Sequence, residues 1–208
     1  NLLYLSAIEP YCKADWTANW IWTKSCSDDS YVVFRKTVTA DAAMEATAYI
    51  SAVDKYVLWL NGELVVLDGS LKRGPTPYDS YYDEIPLNLK QGENTIAMLV
   101  AFNGRSGDGS IVPVAQDEEG DDYNQAGMIF QMQMGNTLVV SDSSWKAQRH
   151  PGYKNRVTAG KDYPNYTQMS MLAERNLYFD ARDDIGAFMN PGFDDSAWEN
   201  ATPVGVAG

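Results

Sequence analysis

The sequence predicts an all-β fold, an antiparallel sandwich or barrel, on three observations. Short stretches alternate apolar and polar residues with a period of two. Glycine-bearing turns separate those stretches, and no segment carries the 3.6-residue apolar period of a long helix.

The elements follow in order. In YVVFRKTVT, Val32, Phe34 and Val38 fall on one face and Tyr31, Arg35 and Thr37 on the other. TAYISA, YVLWLN and ELVV come next, then ENTIAMLVAF, where Ile96, Met98, Val100 and Phe102 alternate with Thr95, Ala97, Leu99 and Ala101. AGMIFQMQM shows the pattern most cleanly, with Met128, Phe130, Met132 and Met134 opposite Ile129, Gln131 and Gln133. Asn61-Gly62 between two apolar runs predicts a two-residue type I′ hairpin, because both central positions of that turn need positive φ. LKQGEN (89–94) and MGNT (134–137) are further turns, the second another hairpin.

Two stretches break this rhythm: a Gly- and acid-rich loop at 103–125, and a Pro-, Tyr- and Asn-rich segment at 149–176 that runs on into NLYFDARDDIGAFMNPGFDDSAW. No internal repeat or low-complexity tract stands out.

Size and charge narrow the function. A chain of 208 residues with 45% hydrophobic and 12% aromatic residues buries a real core. Its formal charge of −12, from 28 acidic and 16 basic residues, repels phosphate backbones and anionic bilayers, so neither nucleic acid nor membrane insertion is expected. The opening NLLYLSAIEP lacks the basic start and long apolar stretch of a signal peptide. Cys12 and Cys26 flank Trp16, Trp20 and Trp22; they either form a bridge suited to an oxidising compartment or stay as two separate buried thiols.

The chemistry-bearing residues exclude more than they select. His150 is the only histidine and sits beside Pro151, which rules against a histidine triad and marks it as a surface or packing residue. Zinc spacing is missing, and Gly104, Gly107 and Gly109 do not make a nucleotide fingerprint. Acid pairs for a glycosidase are Asp83 with Glu84, which a strand would point to opposite faces, and Asp180 with Asp183 or Asp184. Calcium is a candidate cofactor, with Asp108, Asp117, Glu118, Glu119, Asp121 and Asp122 as oxygen donors in a loop that does not match the EF-hand pattern. For sugar recognition, LKRGPTPYDSYYDEI gathers Arg73, Tyr78, Asp79, Tyr81, Tyr82, Asp83 and Glu84 near the hairpin that bears Trp59 and Asn61. Those aromatics equally suit a covering role over the core.

WIW at 20–22, VFRKTV, AYISAVDKYVLWLNGELV, RGPTPYDSYYDEI, GENTIAMLV and PGFDDSAW, spread over residues 19–199, resemble the amino-terminal region of bacterial α-L-rhamnosidase-like glycoside hydrolases. The resemblance implies a galactose-binding-like jelly-roll sandwich over 1–148, and an irregular extension over 149–208 that packs on it and leads to a further domain. It implies a catalytic barrel elsewhere in the parent enzyme, so no catalytic residue is carried onto this chain. In some relatives the region is a rhamnose-binding module assisted by calcium, and in others it is structural. The expected partners are carbohydrate, including terminal L-rhamnose, and the remaining domains of the enzyme. The expected location is periplasmic or extracellular, with the signal segment outside this chain. A sugar site would use Trp59, Tyr81 or Tyr82 against the ring and Arg73, Asp83 and Asn103 on hydroxyls. The alternatives are an interdomain sandwich without a ligand and a stand-alone hydrolase using Asp180, Asp183 or Asp184. Register decides much of this, because a one-residue slip moves Trp59 between pocket and core.

Overall fold

In the computed structural model the described residues are 16–25, 30–70, 82–102, 126–154 and 178–206. The first strands are β1 (Asn19–Trp22), β2 (Ser30–Ala40), β3 (Met44–Ala52), β4 (Lys55–Leu60) and β5 (Glu63–Ser70). They are followed by β6 (Asp83–Leu89), β7 (Gly92–Phe102), β8 (Met128–Met134) and β9 (Thr137–Val140). The last are β10 (Lys146–Arg149), β11 (Tyr153–Lys154), β12 (Tyr178–Phe179), β13 (Glu199–Asn200) and β14 (Thr202–Val206). Among the described residues the only helical element is a single 3-10 turn at Ala181–Asp183.

Two antiparallel sheets face each other. The first runs β14-β1-β8-β3-β6, with β9 also beside β8; the second runs β13-β10-β2-β7-β4-β5. Along the chain β2, β4, β7 and β10 lie in the second sheet and β3, β6 and β8 in the first, so the strands pass back and forth between layers as in a jelly roll. The alternation read from the sequence sets the inward faces. Val32, Phe34, Ala48, Ile50, Leu58, Ile96, Met98, Met128, Phe130 and Met132 share one core, sealed by Trp22 and Trp145.

The turns behave as their residues require. Asn61 and Gly62 have φ of 55° and 87°, the type I′ hairpin between β4 and β5. Asn61 also ties that hairpin to β7, because its Oδ1 accepts from Thr95 N at 2.9 Å and its Nδ2 donates to Asn94 Oδ1 at 2.9 Å. Gly135, at φ 57°, turns β8 into β9. Gly92, at φ 89°, instead carries the chain from one sheet to the other.

The centre of the second sheet is buried on both faces, a feature its central strand announces, since β7 has no charged residue from Asn94 to Phe102. Val33, Ala97 and Leu99 point away from the main core into a second apolar cluster with Phe188, flanked by Trp59, Ile185, Met189, Phe193 and Trp198. The covering segment, residues 180–198, forms an apron of turns over this face. The chain then adds β13 to the second sheet and β14 to the first, so the C-terminal region also completes the sandwich.

A short repeat does exist. Asp142-Ser-Ser-Trp145 and Asp195-Ser-Ala-Trp198 make matching tight turns, with Trp145 N donating to Asp142 O at 3.2 Å and Trp198 N to Asp195 O at 3.0 Å. Each turn launches a short strand, and those strands, β10 and β13, pair with one another.

Candidate functional site

The structure separates the residues that the sequence places in one sugar pocket. Trp59 lies on the outer face of β4, away from the main core, with its ring edge-on to Phe188 at 5.4 Å. The apron therefore covers the Trp59 side of the sheet. Asp83 is buried at the start of β6, where its Oδ2 accepts from Tyr56 Oη at 2.9 Å and from Ser70 N at 3.0 Å. That carboxylate fastens β6 to β4 and β5, and a pocket role for it is corrected to a structural one. Burial, with the Asp83 charge beside it, keeps the Tyr56 phenol protonated far beyond its ordinary pKa. Tyr82 sits elsewhere again, on the first sheet. Arg73, Tyr81 and Asn103 lie outside the described residues, as do Cys12, Cys26 and the acidic 103–125 loop with its expected calcium ligands. Among the described residues no group of three or more His, Cys, Asp or Glu is arranged to hold a metal ion.

Around Tyr82 a surface takes shape that the sequence reading only partly foresees. Tyr82 lies between Trp16, at 5.8 Å and 88°, and Tyr49, at 5.6 Å and 75°. All three rings are half-buried on the outer face of the first sheet. Tyr49 stands on β3 directly across from Glu84 on β6 and Gln131 on β8, so a carboxylate and an amide flank the rings on one face. The Gln131 Oε1 accepts from Thr17 N at 2.8 Å, which draws the Trp16 segment onto the sheet. Tyr49 and Gln131 were legible as outward positions of their strands; only the sheet order makes them neighbours.

A concavity of about 550 Å³ opens beside β10 and β11, lined among the described residues by Gln148, Arg149, Pro151, Tyr153 and Lys154. Tyr153 is stacked on Tyr31 at 4.0 Å and 15°, with Phe179 and His150 against its other sides. His150 is buried here rather than on the surface: its Nδ1 accepts from Gly152 N at 3.1 Å and its Nε2 is 3.4 Å from Asp184 Oδ1.

Burial pushes the His150 pKa below its ordinary value, and Asp184 opposes this without reversing it. Because the folded value lies below the unfolded one, the unfolded chain binds the proton more readily. His150 therefore contributes stability that is full above about pH 6.5 and is lost as pH falls below it. Urea unfolding at pH 7.5 and 5.0 should show this loss, and His150→Asn should flatten the difference between the two. An unchanged difference in the variant would remove His150 as its source.

The acids proposed for bond cleavage are otherwise engaged. Asp180 caps the 3-10 turn and accepts from Arg182 Nη2 at 2.6 Å, Asp183 pairs with Lys154, and Asp184 faces His150 and accepts from Gly186 N at 3.1 Å. Asp83 is buried while Glu84 is exposed, the opposite facing expected of neighbours on a strand.

An antiparallel sandwich of two facing sheets, with Asp83, Asp180, Asp183 and Asp184 tied into its frame, is a β-sandwich module of the jelly-roll class. The family model of the alpha-L-rhamnosidase N-terminal domain matches residues 41–207, and the chain belongs to that family. Comparison with curated proteins found no match. Among solved structures it is similar to a GH78 family rhamnosidase of Bacillus sp. GL1, at 24% identity and TM-score 0.71, covering 94% of this chain and 19% of that one. It is also similar to an alpha-L-rhamnosidase from Dictyoglumus thermophilum, at 24% identity and TM-score 0.61, covering 91% of this chain and 21% of that one. A lectin from Pleurotus ostreatus, solved in complex with GalNAc, matches at 17% identity and TM-score 0.55, over 91% of this chain and 43% of that one. At these identities the likeness is one of fold, and the chain spans about a fifth of the length of the two rhamnosidases.

Proposed function

We propose that this chain is a non-catalytic, carbohydrate-associated module of a periplasmic or extracellular rhamnosidase-like enzyme, and that it holds a neutral sugar ring on the first sheet. The observation that carries this reading is the Trp16, Tyr82 and Tyr49 cluster, with Gln131 and Glu84 across from Tyr49. Aromatic rings take the C–H face of a sugar, and the exposed Glu84 carboxylate on the same surface takes its hydroxyls. Membership of the rhamnosidase family makes terminal L-rhamnose the first ligand to test.

Titration calorimetry of the 208-residue chain with L-rhamnose, with and without EDTA, provides that test. Millimolar binding is expected, weakened about tenfold by Tyr82→Ala, as befits losing about 1.4 kcal/mol of ring contact. No binding at millimolar sugar would leave the structural reading, in which the sandwich docks on the other domains of its enzyme. One observation favours that second reading: β5 is the edge of its sheet and exposes Leu64 by 53% and Leu67 by 71%.

A further inference from the structure

We propose that the Tyr82 surface continues along the outer face of the first sheet and holds the interior of a neutral oligosaccharide chain rather than one terminal sugar. The inference rests on the carbohydrate-associated reading above and deepens it, by naming the class of ligand that the whole face would take.

The face is built by register. On β3 the outward positions that lead away from Tyr49 are Thr47 and Glu45, and β6 sets Glu84, Pro86 and Asn88 directly across from Tyr49, Thr47 and Glu45. Glu45, Thr47, Glu84, Pro86 and Asn88 are all exposed. The row thus runs from the aromatic rings through a hydroxyl and an apolar ring face to an amide, with a carboxylate at each end. On β8, the other neighbour of β3, Gln133 is exposed as well. Its Nε2 donates to Gly135 O at 2.7 Å, which leaves the amide oxygen to accept from a hydroxyl. From Tyr49 to Glu45 the strand covers about 13 Å, at about 3.3 Å per residue, so rings beyond the one on the aromatic cluster also find hydroxyl partners.

Two features select a chain, and a neutral one. The turns at the far end of the row, 41–43, 90–91 and 135–136, are short and exposed, so the face is open there and a ligand can run on past it. A pocket that buries most of a single small ligand needs walls that an open sheet end does not supply. As for charge, β3, β6 and β8 carry no Lys or Arg, while the row holds Glu45 and Glu84. In a chain of net charge −12 such a face repels an anionic glycan. Carboxylates open to water still accept from the hydroxyls of a neutral ring.

Titration calorimetry of the 208-residue chain tests this with methyl α-L-rhamnoside, the methyl glycosides of the α-1,2-linked and α-1,3-linked L-rhamnose trisaccharides, and a trisaccharide whose middle ring is galacturonic acid. One or both neutral trisaccharides are expected to bind at least tenfold tighter than the single ring and than the acidic trisaccharide. The double variant Glu45→Ala, Asn88→Ala should bring the ratio of trisaccharide to single-ring affinity toward one, with an unchanged melting temperature. Neutral trisaccharides no tighter than the single ring, an acidic trisaccharide as tight as the neutral ones, or a ratio untouched by the double variant would each overturn the proposal. The first of these, seen together with single-ring binding that Tyr82→Ala weakens, would sink the chain-binding face and leave the module reading standing. No binding of any of these glycans would remove both.

Discussion

Replacing Arg35 with Ala is expected to destabilise the protein by about 3 kcal/mol, because one buried guanidinium holds the whole apron to the sandwich. Arg35 is 3% exposed on the outer face of β2. Its Nε donates to Phe188 O at 2.8 Å, its Nη2 to Asn190 O at 3.0 Å and its Nη1 to Asp195 Oδ2 at 2.7 Å. Its guanidinium also lies 5.1 Å from the centre of the Phe193 ring. Removing it takes a donor from three carbonyls, those of Phe188, Asn190 and Phe193, and from a partly buried carboxylate, and loosens Phe188 from Trp59. Arg35→Lys retains the charge but not the fork, so it should fall between wild type and Arg35→Ala. The checks are the urea midpoint and the tryptophan emission, which shifts red as Trp59 loses its cover. A loss under 1 kcal/mol would mean that the apron is held by its apolar contacts alone.

A comparable loss, about 3 kcal/mol, is expected for Gly69→Ala, this time by overpacking. A Cβ at Gly69 would stand 2.2 Å from Tyr56 Cζ and 2.3 Å from its Cε1. Tyr56 is 1% exposed and its hydroxyl is bonded to Asp83, so the ring cannot move aside without breaking a buried hydrogen bond. Ser70 N, next in the chain, donates to that same carboxylate. Tyr56→Leu in combination with Gly69→Ala should therefore cost less than the sum of the two single changes, measured in a double-mutant cycle by chemical denaturation. Additive effects would show that the clash is relieved elsewhere.

Both predictions concern residues whose importance is invisible along the chain. Arg35 reads in sequence as one polar position in an alternating strand, and Gly69 as one glycine among 16. Asp83 beside two tyrosines suits a sugar site as a sequence pattern, yet it bonds Tyr56 inside the sandwich while Tyr82 looks outward. The neighbouring positions on a strand explain the split, and the sequence carried that rule for Asp83 and Glu84. What it lacked was the partner of each face.

The sequence by itself determined the strands from Tyr31 to Met134 that alternate most cleanly, the Asn61-Gly62 hairpin and the inward set from Val32 to Met132, but not β6 or the short strands after Val140, because period two and turn chemistry are local properties of neighbouring residues. Only the tertiary structure decided that Trp59 lies under the apron, that Trp16, Tyr49 and Tyr82 meet, and that Arg35 finds Asp195 across 160 residues. Those contacts depend on the order of strands within each sheet and on which segment covers which face. Both follow from long-range burial, to which no short stretch of sequence has access.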